Sequence, residues 1–301
     1  MMSDLLRPAS LLVAVLLSGC GHPMPWNTRF DPALATLVPA DTNVLVELNL
    51  ARLRGTPVYQ QHLAPMAAHE LGDITRLTGI DPNRDVDQVL LASNGRNFVT
   101  LVRGRFNPAD AASRMQANGA SRTSDAGIAV FEQDGNAIAF ADSSMAVAGS
   151  DAAVRDALER RKNGGGGIPA ELKSVVDEVP SNDQIWAAVV GGAPAFPAEG
   201  NLRNLAELAR LVNRAFAGLD VQNGLNLQAR ADCGSEEDAR RVHDALRGFV
   251  ALARMSAPAN RPELIHVFDA INIVREQTRV RLTASLDQKE LDAFLGLWSK
   301  P

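Results

Sequence analysis

Four oxygen-bearing side chains stand at alternate positions in Asp81-Pro82-Asn83-Arg84-Asp85-Val86-Asp87. Alternating oxygen ligands are what a calcium loop supplies. An EF-hand loop also needs glycine at its sixth position and glutamate at its twelfth, where this chain has Val86 and Ala92. Asp and Asn also favour turns, because their side chains bond nearby backbone. Asp81, Asn83, Asp85 and Asp87 are therefore weak metal candidates beside a turn-forming role. Of the five histidines (22, 62, 69, 243 and 266), His62 and His69 lie about two helical turns apart, with Pro65 between them. His69-Glu70 lacks the second histidine of a zinc-protease helix, and neither Gly-x-Ser-x-Gly nor paired-cysteine zinc spacing occurs. The run Asn163–Gly167 lacks the Lys-Ser/Thr that completes a phosphate loop. No catalytic residue is assigned. The missing motifs argue against an enzyme.

The remaining candidate chemistry belongs to the cysteines. Cys20 follows Leu17-Ser18-Gly19 at the end of an apolar run from Leu11 to Leu17, with Arg7 ahead of it. A charged head, a short apolar core and small residues before a cleavage point make a secretory signal. The core is shorter than the roughly 20 apolar residues that cross a bilayer. With cysteine directly after Leu-Ser-Gly, residues 1–21 resemble a bacterial lipoprotein signal peptide. The resemblance implies that residues 1–19 are removed and that Cys20 becomes an N-terminus carrying diacylglycerol and an amide-linked acyl chain. That covalent lipid is the one expected cofactor-like group. The resemblance also implies a place in the cell envelope facing the periplasm. Gly21 stands where an aspartate would signal inner-membrane retention, so the outer membrane is favoured. Cys233 is then left without an intrachain partner and reads as a small buried residue at a strand-to-helix corner.

The elements that would carry this chemistry follow from composition and pattern. The chain of 301 residues has a net charge of −5, 46% hydrophobic and 22% charged residues. A mildly acidic chain without a basic run argues against nucleic acid and against anionic lipid as electrostatic partners. Residues 20–33, rich in proline, read as a lipidated tether that reaches about 40 Å at most at ~3.3 Å per residue.

Beyond the tether, Val44–Leu48 reads as a strand after the turn cluster Pro39-Ala40-Asp41-Thr42. Asn94-Gly95, Asp134-Gly135 and Asn223-Gly224 each separate apolar runs, the strongest short signal for a hairpin. Asn107, Ser150, Ser235 and Asp287 each stand where a strand ends and a helix begins, as N-caps. Leu202, Leu205, Leu208, Val212 and Phe216 recur at helical spacing and predict a helix over 202–217.

The order strand, helix, hairpin, helix, hairpin, helix occurs twice. It predicts an α+β fold of two tandem units that repeat one plan, each an antiparallel sheet with helices packed on one face. The expected organisation is signal peptide 1–19, tether 20–33, first unit 34–162, Gly-rich linker 163–167 and second unit 168–301. The Pro-Ala-Asp-Thr opening resembles uncharacterised envelope lipoproteins in layout only. The function expected first is a membrane-anchored lipoprotein that works by non-catalytic contact with an envelope protein. The alternatives are a carrier with a small or apolar ligand in a cleft between the units, and a hydrolase whose residues are scattered in sequence. A deep apolar pocket would favour the carrier.

Overall fold

The computed structural model describes residues 31–65, 72–191, 207–257 and 262–296. Cys20, Leu17, Ser18, Gly19, His22, His69 and the stretch 192–206 lie outside them.

Among the described residues twelve strands and ten α-helices follow one another. They are α1 Pro32–Ala35, β1 Val44–Leu48, α2 Leu50–Leu53, a π-helical turn Tyr59–Leu63, α3 Gly72–Thr78, α4 Pro82–Asp85, β2 Val86–Ser93 and β3 Phe98–Gly104. Then come α5 Pro108–Ala117, β4 Ser121–Asp125, β5 Ile128–Gln133, β6 Asn136–Asp142, β7 Met145–Ser150, α6 Asp151–Lys162 and α7 Ala170–Val176. The remainder is β8 Ile185–Val190, β9 Val212–Asp220, β10 Leu225–Cys233, α8 Glu236–Met255, α9 Pro262–Asp269, β11 Asn272–Glu276, β12 Arg279–Leu286 and α10 Gln288–Leu295.

All four expected caps form. Asn107, Ser150, Ser235 and Asp287 each accept a backbone N–H from the first turn of the helix that follows. Asp287 and Glu290 close a reciprocal capping box, with N–H···O distances of 2.8 and 2.9 Å. Asp287→Ala is expected to lower stability by about 1 kcal/mol, read as a shift in the denaturant midpoint without a change in slope. The hairpin at Asp134-Gly135 turns with φ of 52° and 79°, the left-handed pair that a two-residue connection needs. β4 carries no such signal. Its sequence Ser-Arg-Thr-Ser-Asp lacks an apolar face, and the turn to β5 places Ala126 at φ 50°.

The strands form one antiparallel sheet in the order β11-β12-β10-β9-β8-β1-β2-β3-β7-β6-β5-β4. The fold is α+β, as expected. β1 lies between β2 and β8, so residues 168–301 continue the sheet of residues 34–162 without a gap. Asn163–Gly167 closes α6: the Gly165 N–H bonds Arg160 O at 2.7 Å. A Cβ on Gly165 would lie 2.7 Å from the Thr36 side chain, so glycine is what lets the two segments approach.

The predicted helix over 202–217 is corrected from Val212 onward, while 207–209 are helical. Residues 212–220 are strand β9, paired on one side with β8 and on the other with β10. Val212 packs toward Cys233 and Val242, whereas Phe216 packs against the core on the opposite side. Two ladders of backbone hydrogen bonds outweigh the helical spacing of a few apolar side chains.

Alternation along the strands separates two faces. One carries Leu45, Leu90, Val99, Leu101, Val147, Trp186 and Ala188. It packs on Leu34 and Leu37 around α1, on Val154 and Leu158 of α6 and on Leu172 and Val175 of α7. The other face meets α5 through Val86, Phe131, Phe140 and Met115. In the second half, that face meets α8 through Val212, Cys233, Ala239, Val242 and Val280. In the second half the helices α8, α9 and α10 share one face; in the first half helices cover both. No described helix is long and apolar enough to cross a membrane.

Candidate functional site

On the second of these faces the first half is not closed. Between the strands and the helices lies a cavity of about 930 Å³, at the upper end of the ~300–1,000 Å³ usual for ligand sites. Its floor is the outward-alternating set of four adjacent strands: Val89 on β2, Thr100 and Val102 on β3, Ala146 and Ala148 on β7, Ile138 and Phe140 on β6. Thr100, Ala146 and Ala148 are small and central, and that is where the space comes from. A β-strand at this position with valine or leucine would fill it.

The walls come from short helices. Leu50 and Leu53 of α2, Tyr59 and Leu63 of the π turn, Ile74 and Leu77 of α3 and Met115 of α5 all face in. Ile74 is 45% exposed while lining the cavity, so α3 stands where the cavity meets solvent. The π turn is an inserted-residue irregularity of a kind that recurs at functional sites. Here it aims Tyr59 inward. The Tyr59 hydroxyl donates to Asn83 Oδ1 on α4, tying the two walls together. Burial pushes the Tyr59 phenol above its ordinary value despite the nearby Arg54. Polar lining is confined to a few side chains: Thr78, Asn83, Thr100, Gln133, Asp134 and Asn136.

The stretch singled out for metal chemistry turns out to be part of this wall. Asp81 caps α4, accepting from Asn83 N at 3.0 Å. Asp85 accepts from Asp81 N at 2.9 Å and pairs with Arg84 at 2.8 Å, and these bonds hold it below the usual carboxylate range. Asp87 pairs with Arg54 at 3.1 Å. Pro82 and Asn83 line the cavity. Each side chain thus serves a cap, a turn or an ion pair or, for Asn83, accepts from Tyr59. Among the described residues no three His, Cys, Asp or Glu side chains are grouped to hold a metal ion.

The described histidines are likewise apart. His62 approaches Asp292 of α10 at 3.6 Å, His243 bonds Asp244, and His266 lies on α9. Cys233 is buried at the end of β10, where burial and the neighbouring Asp238 and Asp232 raise its thiol above its ordinary value.

Sequence reasoning did not find the cavity. The one signal available was the run of small residues at alternate positions in β7, Ala146 and Ala148, opposite the large Ile138 and Phe140 of β6. Without the strand order, those alanines do not announce a hollow.

No family model and no curated protein matches this sequence. Two solved structures of TP0453 share its architecture. Crystal form III superposes with a TM-score of 0.50 at 13% identity, covering 88% of this chain and 97% of that one. Crystal form I gives a TM-score of 0.50 at 13% identity, covering 89% and 98%. The likeness spans both halves and the sheet that joins them: this chain has the fold of TP0453.

Proposed function

We propose that this chain is a lipid-anchored envelope protein that carries an apolar molecule in the cavity of its first half. The observation that supports the reading is the cavity itself. A hollow of about 930 Å³ with an almost wholly apolar lining is far larger than the voids of a packed core. Apolar cavities of this kind stay dry and take up apolar guests. The few polar side chains suit an amphiphile with one polar end, such as an acyl chain with a small headgroup. Cys20, if acylated, would hold the cavity within a tether's length of the bilayer from which such a molecule comes. The carrier site differs from the expected cleft in one respect. Among the described residues its lining runs from Leu48 to Ala148, with Ile185 as the only one from beyond the Gly-rich segment, so the ligand sits inside the first half.

Contact with a protein partner remains a second reading on a separate observation. Phe249, Leu252 and Met255 of α8 are 53%, 65% and 81% exposed at three-residue steps. Crosslinking from α8 in cells should recover one recurrent protein if this reading is right.

The carrier reading is tested by native mass spectrometry of the full-length protein, released from membranes in mild detergent. Wild type should retain an apolar adduct at close to one per chain. Ala148→Trp should lower its occupancy at least tenfold while the circular dichroism spectrum is kept. Wild-type protein free of adduct, and unable to bind a fluorescent fatty acid, would sink the proposal.

A further inference from the structure

In the second half the described helices leave most of the opposite face of the sheet uncovered. Among the described helices, α7 packs on it at β8 and β9, and Glu178 just beyond α7 reaches Arg230 on β10. By strand register this bare face presents Arg214 and Phe216 on β9, Arg230 and Asp232 on β10, Arg279 and Arg281 on β12 and Val274 on β11. A hollow of about 330 Å³ opens there.

Its charges do not balance. Three guanidinium groups converge on the carboxylate of Asp232: Arg214 Nε at 2.8 Å, Arg279 Nε at 2.8 Å and Arg230 Nη2 at 3.0 Å. Burial alone would raise Asp232, but hydrogen bonds from Arg279 and Arg214 and the charge of Arg230 hold it below the usual carboxylate range. Arg230 is also paired with Glu178 and lies over the Phe216 ring, 5.6 Å from its centroid. Arg281 is paired with Glu276 at the sheet edge. Four arginines thus face three carboxylates, a local excess of positive charge on a chain whose net charge is −5.

The forks are also underused. Arg214 and Arg279 meet Asp232 through Nε, which leaves their terminal nitrogens to other acceptors. A guanidinium carries five donors in a planar fork that matches carboxylate and phosphate oxygens. One carboxylate, with about four lone-pair sites, cannot pair bidentately with three such forks. A phosphate, with oxygens at tetrahedral corners, accepts from several directions at once.

We infer that this hollow is a binding site for a phosphate-bearing group, held by Arg279 and Arg281 beside the Arg230–Phe216 stack. Gln228, Asn272 and Thr283 line the same hollow and supply neutral hydrogen-bonding groups. The site is on the opposite side of the sheet from the apolar cavity, so the two ligands are independent.

Calorimetric titration of the full-length protein in detergent tests this, with inorganic phosphate in one arm and glycerol phosphate in the other. Both should bind, more weakly as salt rises from 50 to 200 mM. Similar affinities would make free phosphate the ligand; a tenfold preference for glycerol phosphate would point to a lipid headgroup. Asp232→Asn removes the built-in competitor, and affinity should rise at least tenfold. Because Asp232 also braces three strands, Glu276→Gln at the exposed edge is the second variant. It frees Arg281 alone and should also tighten binding. The double variant Arg279→Ala, Arg281→Ala should lose it at least tenfold. No binding to wild type or to either freed-arginine variant would overturn the inference, as would binding that survives the double arginine variant.

Discussion

Replacing Glu47 by glutamine is expected to raise stability at pH 8 by about 3–4 kcal/mol and to leave it unchanged below pH 4.5. Glu47 sits at the centre of the sheet and is 1% exposed. It lies on the face that buries Leu45 and Trp186. Gln88 Nε2 donates to it at 2.5 Å, and Gln88 Oε1 in turn accepts from Asp31 N at 3.1 Å. Burial raises its carboxyl from 4.5 to about 7, against the lowering effect of the Gln88 and Trp186 hydrogen bonds and of Arg52.

The sign follows from linkage. Between pH 4.5 and 7 the folded chain keeps a proton that the unfolded chain releases, so stability falls as pH rises through that window. Above pH 7 the cost is complete: raising the carboxyl from 4.5 to about 7 costs about 3–4 kcal/mol at ~1.4 kcal/mol for each tenfold change in proton affinity. Glutamine cannot ionise and can still accept from Gln88 and Trp186. Urea unfolding of wild type and Glu47→Gln at pH 4.5, 6 and 8 measures the difference. A gap that does not widen with pH would refute the account.

Leu45→Ala should have an effect of similar size by a different route. Leu45 is fully buried on β1, between Ala92 of β2 and Ala188 of β8. Truncating a buried leucine costs about 2–5 kcal/mol, through lost transfer free energy and the cavity left behind. More telling is what unfolds. The cluster around Leu45 joins Leu90, Val99 and Leu101 from the first half to Leu172, Val175 and Trp186 from the second. The expected result is one thermal transition, shifted as a whole and reported alike by tryptophan fluorescence and far-ultraviolet circular dichroism. Two transitions, with only one of them displaced, would show that the halves fold independently despite their common sheet.

These two residues mark how far the chain could be read without its structure. The run Val44-Leu45-Val46-Glu47-Leu48 announces a strand, and Glu47 shares the parity of Leu45. The alternation does not reveal that Leu45 and Glu47 point into the core, or that Gln88 and Trp186 would be there to bond the carboxylate. β9 shows the same limit. Local spacing suggested a helix, and pairing with strands 30 residues before and 10 after decided otherwise.

What the sequence determined by itself was local: the caps at Asn107, Ser150, Ser235 and Asp287, the hairpins at Asn94-Gly95, Asp134-Gly135 and Asn223-Gly224, and with them the α+β class. Each depends on backbone conformations and hydrogen bonds that a few neighbouring residues set between them. Tertiary structure alone decided that β1 would join the halves in one sheet. It also placed three small side chains together over the cavity floor and brought Arg214, Arg230 and Arg279 to one carboxylate. These arrangements join residues tens to more than a hundred positions apart, whose proximity comes from strand order, and no spacing within a segment encodes that order.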